Sequence, residues 1–189
     1  MKKAQNITGD WTERRVQGHL DNLGLKTMKP TRDIGVDLEV WHADRPDKKL
    51  FLQVKGRGKV QKNGRHRWFQ IRTTPKQRDD AVKAGLPVSE AWRKKVGLCQ
   101  FFVLVSEKHD ECWVFPASVI AEVVRLNRAK YGKRADNVAG KQTELDLDIE
   151  HDGKALTELF AFYRNNFAIV CEALSAEGAT APSSGPRSG

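Results

Sequence analysis

The sequence predicts one α/β domain in which helices flank a central mixed β-sheet. Residues 33–41 and 50–55 alternate apolar and polar side chains, which is the pattern of strands with one buried face. Residues 98–106 form a continuous apolar run, which is typical of a central strand covered on both faces. Segments with helical periodicity stand before and after these strands. We therefore expect one sheet layer between helices.

The length of 189 residues suits a single domain, which we place at residues 1–174. Residues 175–189 are small, polar and rich in proline and glycine, so we expect a disordered tail. The net charge of +9 favours a polyanionic partner such as DNA or RNA. The three cysteines are far apart and lack metal-ligand spacing, which argues against a disulfide framework or a zinc site. We expect a cytoplasmic protein without membrane contact, since no apolar leader or membrane-length run is present.

The first half of the chain is predicted to begin with a helix at 10–23, ended by Gly24, and a short extended piece at 25–28. In the strand at 33–41 the carboxylates share one face with Gly35. A turn is expected at 42–49, and the strand at 50–55 follows. After a glycine-rich loop we expect a strand at 68–72 and then helical stretches broken at Gly85 and Pro87.

The second half is predicted to contain the central strand at 98–106 and a strand at 112–115 that pairs with it through a polar turn. Helices are expected at 117–130 and 154–173. Between them, residues 144–150 alternate strictly, which indicates a strand with an acidic face. We expect this to be a solvated edge strand, with metal binding as the alternative.

Side chains able to support phosphodiester chemistry gather on two neighbouring strands. Gln53 and Lys55 point to the same side of their strand because they are two residues apart. Hairpin pairing with the preceding strand would bring Asp37 beside them. Hard oxygen ligands hold Mg²⁺, and a lysine orients water or neutralises developing charge, so this group suits metal-dependent hydrolysis. The alternative is a cross-strand ion pair between Asp37 and Lys55 on a solvated sheet face.

Glu13 is a further candidate for this site. It lies at the edge of the apolar stripe of the first predicted helix, so it leans toward the sheet. A carboxylate turned inward needs a partner, and a metal shared with Asp37 would be one. The alternative is a capping box, because Asp10 and Glu13 have the spacing of that motif.

The segment that follows Lys55 is strongly basic and contains no acid up to residue 67. Its glycines let backbone N–H groups approach phosphates closely. We expect nucleic-acid contact from five of its side chains, which are Arg57, Lys59, Lys62, Arg65 and Arg67. A solvated surface hairpin is the alternative interpretation.

These residues, in this order, resemble the PD-(D/E)xK nuclease superfamily. More closely, they are similar to its restriction-endonuclease-like branch with a Gln-x-Lys motif, as in Mrr-type enzymes. The resemblance rests on Glu13 in a first helix, on Asp33-x-Gly-x-Asp37 and on Gln53-x-Lys55, and it covers residues 8–117. It implies a restriction-endonuclease-like core and Mg²⁺-dependent cleavage of DNA, with Mn²⁺ as a substitute ion.

The resemblance also implies roles by position. Asp37 would be the central metal ligand, and Glu13 would bind the metal directly or through water. Gln53 and the carbonyl of Val54 would complete the metal site, and Lys55 would act on the attacking water. Two positions depart from the family's name, because Val36 replaces its proline and Gln53 replaces its second acid. Loss of that charged ligand weakens metal affinity.

We therefore expect a Mg²⁺-dependent DNA endonuclease that acts in restriction, phage defence or DNA repair. Cutting both strands of a duplex needs two such sites, so a homodimer is a reasonable expectation. The alternative, which Gln53 motivates, is a catalytically weak or inactive nuclease-fold subunit that binds nucleic acid within a larger defence or repair complex. A third class is a structural protein whose basic face contacts an acidic partner.

Overall fold

The computed structural model describes residues 3–31, 35–57, 66–132 and 142–176. The strands in these ranges are β1 (Leu25–Met28), β2 (Leu38–His42), β3 (Arg45–Arg57), β4 (Trp68–Arg72), β5 (Phe101–Ser106), β6 (Glu111–Pro116), β7 (Gln142–Asp146), β8 (Glu150–His151) and β9 (Lys154–Ala155). The α-helices are α1 (Lys3–Asn22), α2 (Pro75–Lys83), α3 (Trp92–Val96), α4 (Ala117–Tyr131), α5 (Leu156–Leu159) and α6 (Ala168–Ser175). Short 3₁₀ turns occur at Val88–Glu90 and Ala161–Tyr163.

A five-stranded mixed sheet in the order β1-β2-β3-β5-β6 forms the centre of the fold. β3 and β5 are parallel, and the other neighbouring pairs are antiparallel. β4 and β7 form a separate antiparallel pair, and β8 and β9 form a short hairpin. The predicted class is confirmed, since helices flank a mixed central sheet.

Each face of the central sheet carries its own hydrophobic core. Every residue of β5 is buried, and its side chains alternate between the two cores. Phe102 and Leu104 pack with α3, α4 and the β4–β7 pair, whereas Val103 and Val105 pack with α1 and α6. The prediction of a central strand covered on both faces is therefore confirmed.

The strands near the candidate site differ from their predicted bounds. β2 begins at Leu38, and not at 33, because Gly35 has a φ of +83° that turns the chain away from extended geometry. Residues 32–34, including Asp33, lie outside the described residues. The predicted turn at 42–49 shrinks to two residues, since β3 starts at Arg45 and pairs with His42.

The helix predicted at 154–173 is wrong. The chain there forms β9, α5, a 3₁₀ turn and α6. The interruption has a tertiary cause, because Asn165 pairs with the outer edge of β6, the last strand of the central sheet. Its backbone N donates to the Cys112 carbonyl at 2.6 Å, and its Oδ1 accepts from Cys112 N at 2.7 Å, with φ at +54°. Covering a sheet edge outweighs helical periodicity here.

The acidic strand is also less solvated than predicted. Asp146, at the end of β7, is buried, although Asp148 and Glu150 are exposed. The Tyr131 hydroxyl donates to its carboxylate at 2.7 Å, and Asp148 N donates at 3.0 Å. Hydrogen bonds from the protein thus satisfy the carboxylate, as burial of a charge requires.

The first helix starts earlier than predicted, at Lys3. Asp10 is therefore inside α1, and the proposed capping box with Glu13 is excluded. The predicted helix at 117–130 and the predicted strand at 68–72 are confirmed. Most of the expected tail at 175–189 lies outside the described residues. None of the helices in the described part of the chain is long and apolar enough to span a membrane.

Candidate active site

Asp37 is the centre of a compact polar group. Its backbone N donates to the Leu52 carbonyl at 2.9 Å, which extends the β2–β3 pairing by one residue before β2. Its Oδ2 accepts hydrogen bonds from Gln53 Nε2, from Val54 N at 2.8 Å and from Lys55 Nζ at 3.4 Å. The structure therefore brings Asp37, Gln53 and Lys55 together, as the strand pattern predicts.

The alternation of β3 explains why these side chains share one side of the sheet. Leu52 and Val54 enter the core beneath α1, so Gln53 and Lys55 point to the opposite face. Gln53 is only 1% exposed, whereas the side chains of Asp37 and Lys55 are 24% and 25% exposed. The group is thus open to a ligand on one side and desolvated on the other, which strengthens electrostatic interactions within it.

Lys55 links two oxygen atoms of the site. Besides contacting Asp37, its Nζ donates to the Val54 carbonyl at 3.0 Å. An ammonium group has three donors, and within the described residues two of them are used in this way. The remaining donor can bind a water molecule or a phosphoryl oxygen.

Gln53 contributes an unusual acceptor. Its Oε1 is buried, and no hydrogen-bond donor reaches it within the described parts of the chain. An unsatisfied buried acceptor costs about 1–3 kcal/mol. The amide nitrogen donates its hydrogen bond to Asp37. The amide oxygen is therefore available to bind a cation.

The oxygen donors at this site fit the Mg²⁺ that the family resemblance implies. The Asp37 carboxylate, Gln53 Oε1 and the Val54 carbonyl are hard ligands, and Mg²⁺ is commonly bound by one or two carboxylates together with several waters. Within the described ranges, no group of three or more His, Cys, Asp or Glu side chains is placed to hold a metal ion. A magnesium site here would therefore depend on amide, carbonyl and water oxygens in addition to Asp37.

Glu13 lies apart from this hydrogen-bonded group. Its Oε2 is 2.7 Å from Lys29 Nζ, which also contacts Asp10 at 2.8 Å. α1 packs on the sheet face opposite to Gln53 and Lys55, since its Val16 and Leu20 belong to the core that contains Val54. The inward position of Glu13 is thus explained by Lys29, and its role as a metal ligand stays a prediction.

The basic segment after Lys55 is described only at its two ends. Lys59, Lys62 and Arg65 lie outside the described residues. The Arg57 guanidinium stacks over the Trp68 ring at 4.6 Å. Arg67 forms ion pairs with Glu111 and with Asp148, the latter at 2.8 Å. Both arginines thus have internal contacts, and their contact with nucleic acid stays a prediction.

Cys99 is a further neighbour of the site. It is buried, and its Sγ lies 3.9 Å from the Gly35 carbonyl. Burial, followed by the negative charge of Asp37, raises the pKa of the Cys99 thiol to about 12. The thiol is therefore protonated at neutral pH and makes no nucleophile.

We expect native protein at pH 8 to react slowly with a thiol reagent and at no more than one cysteine. Burial raises the pKa of all three thiols, and Cys171 alone is partly exposed. After denaturation all three cysteines should react with the reagent. The measurement is colorimetric thiol titration, with Cys171→Ser as the control. Rapid labelling of that folded variant would contradict the buried placement of Cys99 and Cys112.

The sequence matches no protein-family model, and it has no match among curated proteins. The structure is similar to that of a bacterial homing endonuclease, I-Ssp6803I, with a TM-score of 0.53. The two chains are 19% identical, and the similarity covers 94% of this chain and 99% of the other. This chain therefore shares its overall fold with that endonuclease. At this identity the similarity establishes the fold alone, so the activity of this chain is a matter for proposal.

Proposed function

We propose that this chain is a metal-dependent DNA endonuclease of the PD-(D/E)xK type. The observation that carries the proposal is the convergence of Gln53, Val54 N and Lys55 on one carboxylate oxygen of Asp37. A fold similar to that of a homing endonuclease supports it, as does the net charge of +9. The substrate would be attracted by charge and hydrolysed at the Asp37 group.

Asp37, Gln53 Oε1 and the Val54 carbonyl would hold Mg²⁺, or Mn²⁺ in its place. Glu13 lies apart from these ligands and would have to move toward the ion to contribute, directly or through water. The bound ion would supply charge stabilisation at the phosphoryl oxygens and a more acidic water. Glu13 would have to share its carboxylate with Lys29, to which it is bonded in this structure.

Lys55 has a separate task in the proposed reaction. Its ammonium is held by the Asp37 carboxylate and the Val54 carbonyl, so its position is set before substrate binds. The third donor would hold the attacking water or a phosphoryl oxygen beside Asp37. A preorganised positive charge at this point stabilises the negative charge that develops on the phosphorane-like transition state.

Cleavage of supercoiled plasmid with and without Mg²⁺ tests the proposal. We expect the parent chain to convert plasmid to nicked and linear forms only with the metal, and Lys55→Ala to lose about 10²–10³-fold in rate. Appearance of linear product would indicate two centres acting on one duplex, as a homodimer would supply.

Lys49→Ala is the matched control for this experiment. Lys49 lies on the same strand and forms a similar cross-strand ion pair, with Glu39 at 2.8 Å, outside the Asp37 group. We expect this variant to cleave at the parental rate. Equal rates for folded Lys55→Ala and the parent would refute the assignment of Lys55.

The second candidate function is a nuclease-fold subunit that binds nucleic acid without cutting it. The observation that favours it is that Asp37 is the one carboxylate, within the described residues, that contacts Gln53 and Lys55. Such a protein would work with an accessory subunit. Salt-sensitive DNA binding without turnover across a magnesium titration would support this function over cleavage.

A further inference from the structure

A second basic region lies outside the segment that follows Lys55. Residues 72–95 contain seven basic side chains, which are Arg72, Lys76, Arg78, Lys83, Arg93, Lys94 and Lys95. The same stretch has three acids, Asp79, Asp80 and Glu90. α2 and α3 carry three of these basic side chains each, and Arg72 is the last residue of β4.

Three lysines of this region lie near the Asp80 carboxylate. Lys76 Nζ donates to Asp80 at 2.6 Å, and this hydrogen bond is the main cause of the lowered pKa of the Asp80 carboxyl. The charges of Lys83 and Lys94 lower it further. α2 and α3 are in contact, which places Lys94 of α3 near the same charged cluster. One carboxylate offsets one of these three positive charges, so the cluster attracts anions.

This cluster adjoins the candidate active site. A side chain on Gly35, two residues before Asp37, would approach Leu98 Cδ1 to 3.3 Å and Gln77 Nε2 to 3.8 Å. Gln77 follows Lys76 on α2, and Leu98 follows α3. The segment that presents Asp37 therefore lies against α2 and against Leu98, two residues after the end of α3.

The spacing of the lysines suits a nucleic-acid backbone. Lys76 and Lys83 are seven residues apart on α2, which corresponds to about 10 Å along the helix. One DNA strand presents about three phosphates over that length of its axis. Lysine contacts phosphates as a flexible point charge and reads no sequence, so such a surface would position a duplex without selecting bases.

We propose that Lys76, Lys83 and Lys94 form a docking surface for the phosphate backbone of the DNA that enters the Asp37 group. The proposal rests on the proposed nuclease function for the identity of its ligand. It concerns binding, however, and binding can be measured apart from cleavage.

The test is the salt dependence of DNA binding by the full chain without divalent metal. A fluorescent 30-base-pair duplex is titrated between about 50 and 200 mM salt, where loss of phosphate contacts is readily seen. We expect Lys83→Gln/Lys94→Gln to lower the slope of log K against log salt by about 1.8, since each phosphate contact contributes about 0.9. This variant keeps the Lys76–Asp80 bond.

Lys26→Gln/Lys154→Gln is the matched control, because it removes the same charge from exposed positions on β1 and β9. We expect this variant to keep the parental slope. A parental slope in Lys83→Gln/Lys94→Gln, or an equal loss in both variants, overturns the docking surface. Absence of salt-sensitive DNA binding in the parent chain also overturns it.

Plasmid cleavage at low salt, measured in parallel, separates the two proposals. A changed slope with no metal-dependent cleavage by the parent supports the surface and refutes the nuclease. Cleavage by the parent with an unchanged slope in the double variant refutes the surface and leaves the nuclease standing.

Discussion

Asp37→Asn is expected to reduce Mg²⁺-dependent DNA cleavage by on the order of 10³-fold or more, which is about 4 kcal/mol of transition-state stabilisation. The amide has nearly the same size and can still accept from Val54 N, but it carries no negative charge. Charge at this position is what a Mg²⁺ ion and the Lys55 ammonium both require. The measurement is the single-turnover rate of plasmid nicking.

Asparagine is chosen so that a loss of activity can be distinguished from a loss of stability. Asp37→Ala would leave Gln53 Nε2 and Val54 N without their acceptor, at a cost of about 1–3 kcal/mol in stability. Glu39→Gln is the matched control, because Glu39 is a β2 carboxylate paired with a β3 lysine outside the Asp37 group. Cleavage by folded Asp37→Asn at the rate of Glu39→Gln would exclude Asp37 from catalysis.

Gly56→Ala is expected to lower both stability and activity. A Cβ on Gly56 would lie 3.0 Å from Thr12 Cβ and Oγ1, and closer still to Thr12 Cγ2. Thr12 belongs to α1 and is buried where this helix packs on β3. Relief of the clash would therefore require α1 and β3 to move apart. We expect a loss of about 1–3 kcal/mol in the free energy of unfolding, which is the usual range for overpacking. Chemical denaturation measures it.

Activity should fall with stability, because Gly56 directly follows Lys55 on β3. Gly18→Ala is the matched control, since a Cβ there meets nothing within 4 Å and alanine favours the helix by about 1 kcal/mol. Combining Gly56→Ala with Thr12→Ala should recover part of the loss in a double-mutant cycle. Equal stability of Gly56→Ala and the parent, or strict additivity in the cycle, would refute the close contact of α1 with β3.

Gln53 decides between the two candidate functions. A glutamate at this position would bring a second negative charge to the metal, whereas the amide supplies only a neutral oxygen. Its Oε1 is nevertheless buried beside Asp37 and lacks a donor within the described residues, which is a costly arrangement for an acceptor without a ligand. This arrangement supports the proposed metal-dependent nuclease over the subunit that binds nucleic acid without cutting it.

The local pattern of the sequence predicted that two neighbouring strands build the site, although not where β2 and β3 begin. Alternation in 50–55 assigned Gln53 and Lys55 to one face, and pairing with the preceding strand placed Asp37 beside them, as the hydrogen bonds confirm. The apolar run that became β5 was equally informative, because burial on both faces favours apolar residues along the strand, with Ser106 at its end as the exception. Periodicity carries this information since it records which face of an element meets water.

Other features depend on residues that are distant in the chain. Asn165 interrupts the predicted last helix because it pairs with the edge of β6, and Asp146 is buried because Tyr131 reaches it from α4. Glu13 turns inward, as expected, but its partner is Lys29. A single sequence does not show which side chain of another element will meet a given residue.

By itself, the sequence determined the fold class and the shared face of Asp37, Gln53 and Lys55, because both follow from the period of side chains along a strand. Only the tertiary structure decided that α1 lies on the opposite face, that the Thr12 side chain packs closely on Gly56 and that Gln77 of α2 lies beside Gly35. Those relations arise from packing between separate elements, where the fit of surfaces, and not local periodicity, sets each contact.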